Sequence, residues 1–162
     1  MKQTRIIFGV LILLLLAGCA TQQERAARKA RERQAVAEAL ASKHLHIDVW
    51  SMSPMRYPSR TVTPDFFLEL NGDMLRSYLP YLGRAYQASI GTPSIGLDFE
   101  SRVLRYSESR PKSNCQRIEL DVKTDEDTHH YMIDVYDSGE AHISVRSLNR
   151  DPISFVGSVR TE

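Results

Sequence analysis

Apolar and polar residues alternate with a period of two through most of the chain after Lys43. In residues 44–50, aliphatic side chains at every second position are separated by histidine and aspartate. This period is typical of a half-buried β-strand, because successive side chains point to opposite faces. The same alternation predicts further strands in residues 66–70, 74–79, 97–106, 118–122, 131–135, 141–145 and 153–159.

Asn71-Gly72 separates two of these segments and predicts a tight hairpin, since both residues tolerate a positive φ angle. A two-residue turn at this dipeptide places Leu68 opposite Leu75.

Asp137-Ser138-Gly139 predicts a second hairpin, with a three-residue loop and glycine in the left-handed third position. This loop pairs Ile133 with Ile143 and keeps both on the buried face. A two-residue loop would mix the faces. On the opposite face the same register places Asp134 across from His142.

Seven or eight short strands in hairpin order predict a mainly β fold with up-and-down antiparallel connectivity. Regular strand spacing of this kind favours a barrel or a strongly curled sheet. A small barrel either encloses one ligand cavity or fills with side chains.

Residues 20–43 have a different composition, rich in alanine, glutamate and arginine, and predict one N-terminal α-helix. An apolar stripe begins only at Val36, Ala37, Leu40 and Ala41, so we expect the last two turns to dock on the β domain. The first half is then a solvated spacer. Six basic and three acidic residues give this segment a charge of 6 − 3 = +3. We expect these charges to form an ordinary polar, solvated helix face. The alternative is that the basic side chains of this segment contact anionic lipid.

The first residues have the pattern of a lipoprotein signal peptide. Lys2 and Arg5 precede an apolar run over residues 6–16, which ends in Leu16-Ala17-Gly18-Cys19. This pattern predicts cleavage before Cys19 and acylation of Cys19, with palmitate among the acyl chains. The alternatives are a transmembrane anchor, for which the run is short, and an ordinary cleaved signal peptide. The expected location is the bacterial cell envelope, and Ala20 favours the outer membrane because no aspartate follows the cysteine.

Three units are therefore expected along the chain: a signal peptide over 1–18, a lipidated cysteine and charged helical tether over 19–43, and an antiparallel β domain over 44–162. Cleavage leaves 162 − 18 = 144 residues with a charge of 19 − 20 = −1, which argues against nucleic acid as a partner. Cys115 then has no cysteine to pair with inside the chain. We expect the Cys115 thiol to be buried. The alternatives are a disulfide bond to another molecule and a reactive thiol.

Tyr78, Tyr81, Arg84 and Tyr86 lie in or beside a long Gly- and Pro-containing stretch, Pro80 to Gly96. Tyrosine offers flat contact area and arginine offers a planar donor fork, so these four residues are the candidate binding loop. The alternative is a compact loop whose tyrosines fold back on one end of the barrel.

The remaining candidate chemistry favours a protein that is not an enzyme. The five histidines have no recurrent ligand spacing, so no metal site is expected, and no motif indicates a cofactor. Asp134 and His142 resemble part of a catalytic triad, but no serine or cysteine lies in a nucleophile motif. An envelope hydrolase that uses this pair, and a purely structural surface lipoprotein, are the alternatives to a binding module.

Four separated segments of the chain are Ser77–Tyr86, Met55-Arg56, Asn71-Gly72-Asp73 and Asn149–Gly157. Together they resemble a family of uncharacterised bacterial lipoproteins, the domain of unknown function family 4251. The resemblance covers about residues 36–160 and implies a β-rich, lipocalin-like domain behind a lipoprotein signal. It implies no activity, cofactor or catalytic residue. The sequence therefore predicts a lipid-anchored module with a small molecule or protein as ligand at the barrel mouth.

Overall fold

The computed structural model describes residues 2–86 and 96–161, with side chains from residue 22 onward within these ranges. The described residues form one helix and nine strands: α1 (Lys2–Ser42), β1 (His44–Pro54), β2 (Arg60–Thr61), β3 (Phe67–Asn71), β4 (Met74–Pro80), β5 (Gly96–Lys112), β6 (Cys115–Lys123), β7 (Thr128–Tyr136), β8 (Glu140–Ser147) and β9 (Ile153–Val159).

Eight long strands close into an antiparallel barrel. From β3 to β9 each strand pairs with the next along the chain, β1 pairs with β3, and β1 also pairs with β9. The two-residue strand β2 extends the sheet beside the second half of β1. The predicted mainly β fold is confirmed, and it is a closed barrel rather than an open curled sheet.

Alternation along the strands fills the barrel with side chains. In β7, for example, Tyr131 and Ile133 are fully buried, while His130 and Met132 are only partly covered. The largest enclosed side chains include Tyr131 and Phe155. The Tyr131 hydroxyl donates to Ser77 Oγ at 3.1 Å, which satisfies two polar groups inside this apolar core.

Helix α1 packs on one end of the barrel, which we call the helix end. Val36 and Leu40 are buried there, and Val36 lies beside Gly139 in the β7–β8 turn. Ala37 and Ala41 are exposed, so the predicted stripe was wrong at these two positions. Each of them follows a buried residue, Val36 or Leu40, by one position, and neighbouring positions point to different sides of a helix. Ala37 and Ala41 therefore face away from the barrel. The opposite end, formed by loops 55–66, 81–86, 124–127 and 148–152, is the mouth.

The β3–β4 hairpin differs from the prediction by one position. Gly72 has φ +62° and is the first central residue of the turn, so Asn71 pairs with Met74 and Leu70 with Leu75. Leu68 does not lie opposite Leu75, as predicted. A two-residue turn with glycine in its first central place explains the shift, because only that place requires the positive φ.

The β7–β8 hairpin confirms the prediction. Ile133 pairs with Ile143, and Asp134 pairs with His142. Gly139 has φ +83°, and its N–H donates to the Tyr136 carbonyl at 2.8 Å.

Strand β5 is longer than the alternation predicted. The prediction ended this strand at residue 106, but β5 continues to Lys112, which pairs with Cys115, and only Ser113-Asn114 form the turn to β6. Cys115 is 3% exposed, which confirms the prediction of burial. Burial is also the main reason that the pKa of its thiol is raised.

No helix among the described residues combines the length and apolarity that a membrane span needs. The side chain of Cys19 lies outside those described, and the signal peptide and acylation stay predictions.

Candidate functional site at the barrel mouth

A buried carboxylate organises the mouth. Asp151 precedes β9 and is 2% exposed. Its Oδ2 accepts hydrogen bonds from Arg56 Nε at 2.9 Å and from the Arg84 backbone N–H at 3.1 Å, and its Oδ1 accepts from the Tyr86 hydroxyl. The Tyr86 hydroxyl and then the Arg56 guanidinium lower the pKa of Asp151 to about 2. The ionised carboxylate therefore joins three loops that are far apart in the chain.

Backbone pairing holds two of these loops together. Tyr86 N–H donates to the Asn149 carbonyl at 2.7 Å, and Asp151 N–H donates to the Arg84 carbonyl at 3.0 Å. The Tyr81 hydroxyl lies 2.9 Å from the Arg84 carbonyl and folds back onto the barrel end. We call this arrangement, centred on Asp151, the Asp151 clamp.

A second buried carboxylate holds the start of the 148–152 loop. Asp127 is 6% exposed and accepts hydrogen bonds from the backbone N–H groups of Thr128, Leu148 and Asn149 at 2.8 to 3.3 Å. These bonds satisfy N–H groups at the point where the two strands β7 and β8 diverge. Hydrogen bonds to Asp151 and Asp127 thus link the described loops of the mouth to one another.

One pocket of about 350 Å³ opens beside the Asp151 clamp. Most of its lining is apolar, and the rings of Phe66 and Tyr78 lie 5.3 Å apart on its wall. Tyr78 remains 38% exposed. We call this the aromatic pocket, and it is lined by Phe66, Tyr78, Leu79, Pro80, Tyr81, Gly96 and Asp98.

A second pocket of about 200 Å³ lies on the other side of the start of β5. We call it the acidic pocket, because its wall includes Asp98, Asp125 and Glu126. Arg150 also borders it and donates to Glu126 Oε2 at 2.7 Å and to the Gly96 carbonyl at 3.1 Å.

His129 forms part of the wall of the acidic pocket. It is 2% exposed, its ring stacks on Phe99 with centroids 5.1 Å apart, and its Nδ1 lies 2.7 Å from Ser147 Oγ. Burial is the main cause that lowers the pKa of His129, so the imidazole is neutral at pH 7.

The four predicted loop residues divide into two groups. Tyr78 and Tyr81 line the aromatic pocket. Tyr86 and Arg84 belong to the Asp151 clamp, where Arg84 contributes its backbone N–H and carbonyl. Their role in binding stays a prediction.

Asp151, Arg56 and His129 belong to the mouth, although the sequence did not predict them as site residues. Arg56 and Asp151 are 95 residues apart, so no local pattern links them. A signal was present in the family resemblance, since Met55-Arg56, Ser77–Tyr86 and Asn149–Gly157 are among its segments and all contribute residues to the mouth.

Asp134 and His142 lie directly opposite on the outer face of the barrel. Asp134 accepts two hydrogen bonds from the Arg117 guanidinium, at 2.6 and 2.8 Å, and these lower its pKa. His142 Nε2 lies 2.8 Å from Glu140 Oε1. Each side chain therefore has its own hydrogen-bonding partner, and the hydrolase alternative stays a prediction.

Comparison with known proteins supports the fold and the family. No curated protein matches the chain. A crystal structure of a DUF4251 family protein from Bacteroides eggerthii DSM 20697 is similar, with a TM-score of 0.65 and 13% identity, over 83% of this chain and 91% of that one. At this identity the likeness shows a shared fold. The family model of DUF4251, a domain of unknown function, matches residues 27–159, and the chain therefore belongs to the DUF4251 family.

Proposed function

We propose that this chain is a lipid-anchored cell-envelope protein that binds a ligand with an apolar part at the mouth of its barrel, without catalysing a reaction. The observation that carries the proposal is the aromatic pocket of about 350 Å³ beside the hydrogen-bonded, ion-paired Asp151 clamp. A pocket of this size suits a small molecule or one side chain of a protein partner.

The chemistry of the aromatic pocket supports an apolar ligand group. Phe66, Tyr78 and Pro80 present carbon surface, and their contact with a ligand removes apolar area from water. Tyr81 is fixed because its hydroxyl bonds to the Arg84 carbonyl. A wall that is already ordered loses little side-chain entropy on binding, which raises affinity for a given contact area.

The position of the pocket supports attachment through Cys19. The last turns of α1 dock at the helix end, where the Lys43 carbonyl accepts a hydrogen bond from Gly72 N–H at 2.9 Å. The mouth lies at the opposite end of the barrel. A membrane anchor at the N-terminal end of α1 leaves this mouth free to meet a ligand.

Binding is tested with N-phenyl-1-naphthylamine, an uncharged dye whose fluorescence rises in apolar sites. We expect the full chain to bind the dye and Tyr78→Ser to weaken binding at least fivefold. Tyr57→Ser is the matched control, because Tyr57 is also an exposed mouth tyrosine but does not line the pocket. Equal binding by both variants and the parent chain would refute the assignment of the pocket and favour a structural role.

The anchor is tested by metabolic labelling with an alkyne analogue of palmitate in cells that express the chain. Cys19→Ser should abolish labelling and release the protein from the membrane fraction. Cys115→Ser is the control and should keep both, since Cys115 is buried in the barrel. Label that persists in Cys19→Ser would contradict acylation at this residue.

A further inference from the structure

The acidic pocket is a second site, separate in chemistry from the aromatic pocket. Of the described residues that line the aromatic pocket, Gly96 and Asp98 also line the acidic pocket. Its wall is about half polar, and its volume is about 200 Å³. A pocket of this size suits a small solute.

The charges around this pocket favour a cation. Asp98, Asp125 and Glu126 contribute three negative charges and Arg150 one positive charge, which leaves −3 + 1 = −2. Arg150 is already neutralised by Glu126 at 2.7 Å and is held by the Gly96 carbonyl. Asp98 and Asp125 are exposed and have no hydrogen-bond or ion-pair partner among the described residues. They are the two charges available to a ligand.

His129 is an independent, buried polar group on the same wall. Nδ1 forms a hydrogen bond with Ser147 Oγ, so Nε2 is the ring nitrogen left for a ligand. Nε2 has no hydrogen-bond partner among the described residues, and it is not one of the buried atoms that are closed off from solvent. When Nδ1–H donates to Ser147, Nε2 becomes an acceptor in the neutral ring. The pocket then presents a nitrogen acceptor and two carboxylates, a set of groups that calls for a ligand rich in N–H donors.

The arrangement argues against a single metal ion. No three histidine, cysteine, aspartate or glutamate side chains within residues 22–86 and 96–161 converge closely enough to hold one. Acceptors that are spread over a pocket of this size suit an organic cation, which carries several donors on an extended skeleton. An ammonium group satisfies this requirement because it has three N–H donors and no acceptor.

We propose that the acidic pocket binds a small aliphatic amine, with Asp98 and Asp125 attracting the ammonium charge and His129 Nε2 accepting one of its hydrogen bonds. Phe99 supports this role by stacking on the imidazole, which fixes the direction of Nε2. This site does not depend on the aromatic pocket, so either assignment stands if the other fails.

The test titrates 1,4-diaminobutane into the full chain at low ionic strength, with calorimetry as the readout. Succinate, which has the same carbon count and the opposite charge, is the control ligand. We expect the diamine to bind, succinate not to bind, and each of Asp98→Asn and Asp125→Asn to weaken binding about three- to fivefold, as for solvent-exposed ion pairs. The double variant should lose about tenfold.

Two further measurements separate this pocket from general surface charge. Glu119→Gln removes a carboxylate from the outer face of β6 and should leave the affinity unchanged. The ¹⁵N resonance of His129 Nε2 should move on addition of the diamine, because a structural imidazole away from the ligand would not respond. Any one of four results would overturn the proposal: no binding of the diamine, equal binding of succinate, unchanged affinity of the double variant for the diamine, or an unchanged His129 resonance.

Discussion

The seam between β1 and β9 closes the barrel, and Gly157 is the residue on which we expect this closure to depend. Gly157 pairs with Val49, next to a β-bulge in β1. A Cβ atom at position 157 would lie 2.3 Å from the Asp48 carbonyl oxygen and 2.9 Å from Ile47 Cγ2. Since real Cβ atoms essentially never approach closer than 3.0 Å, the strands must separate by at least 3.0 − 2.3 = 0.7 Å.

Gly157→Ala should therefore destabilise the barrel strongly. Overpacking costs about 1–3 kcal/mol, and each backbone hydrogen bond lost at the seam adds about 1 kcal/mol. The lower entropy of the unfolded alanine chain offsets about 0.5–1 kcal/mol. The expected net loss is about 2–4 kcal/mol. The closest atom belongs to the backbone, so truncation of Ile47 should not restore stability.

The assay is urea denaturation followed by far-ultraviolet circular dichroism. Ser158→Ala is the matched control, because Ser158 is the next residue and its side chain points outward. The control should change the free energy of unfolding by less than about 0.5 kcal/mol. A loss below 1 kcal/mol in Gly157→Ala, or a loss equal to that of the control, would refute the close approach at the seam.

Three other predictions concern single contacts. Arg117→Gln should lower the free energy of unfolding at pH 7 by about 1–2 kcal/mol, because it removes the two bonds to Asp134. In the folded chain the pKa of Asp134 is lowered. The stabilisation by the Arg117–Asp134 pair is therefore complete above the unfolded pKa, about 3.9, and is lost as the pH falls through the lower folded pKa. Below pH 4 the free energies of unfolding of the parent and the variant should converge in urea titrations. Asp151→Asn should speed amide hydrogen exchange in residues 84–86, whereas the exposed control Asp65→Asn should not, and unchanged exchange in both would contradict the clamp. The buried Cys115 thiol should react with Ellman's reagent only in urea, and immediate reaction in the native chain would contradict its burial.

The strands and most of the barrel could be predicted because their signal is local. Alternation in β6 to β9 reports burial directly, since one face of each strand meets the core. The Asp137–Gly139 loop was predictable because only one loop length kept Ile133 and Ile143 on one face. The end of β5 was missed, since residues 107–112 are exposed on both faces and show no alternation.

The mouth could not be predicted from local pattern, because its contacts are long-range. Asp151 looks like a loop aspartate in the sequence, and its burial follows only when Arg56 and Tyr86 arrive from other loops. Likewise, His129 appeared as one of five scattered histidines. Its place on the wall of the acidic pocket depends on the start of β5, which brings Phe99 against its ring.

Closure of the barrel through β1 and β9 has a consequence for how the chain reaches its native state. The seam joins residues 47–54 to residues 153–159, so its paired residues lie 99 to 112 positions apart along the chain. Contacts of this separation slow folding, because a large loop must close before any of them forms. A chain that emerges N-terminus first cannot complete the barrel until its last strand is released. Until that moment β1 lacks its neighbour on one side, and the nascent chain is exposed to mispairing with other strands.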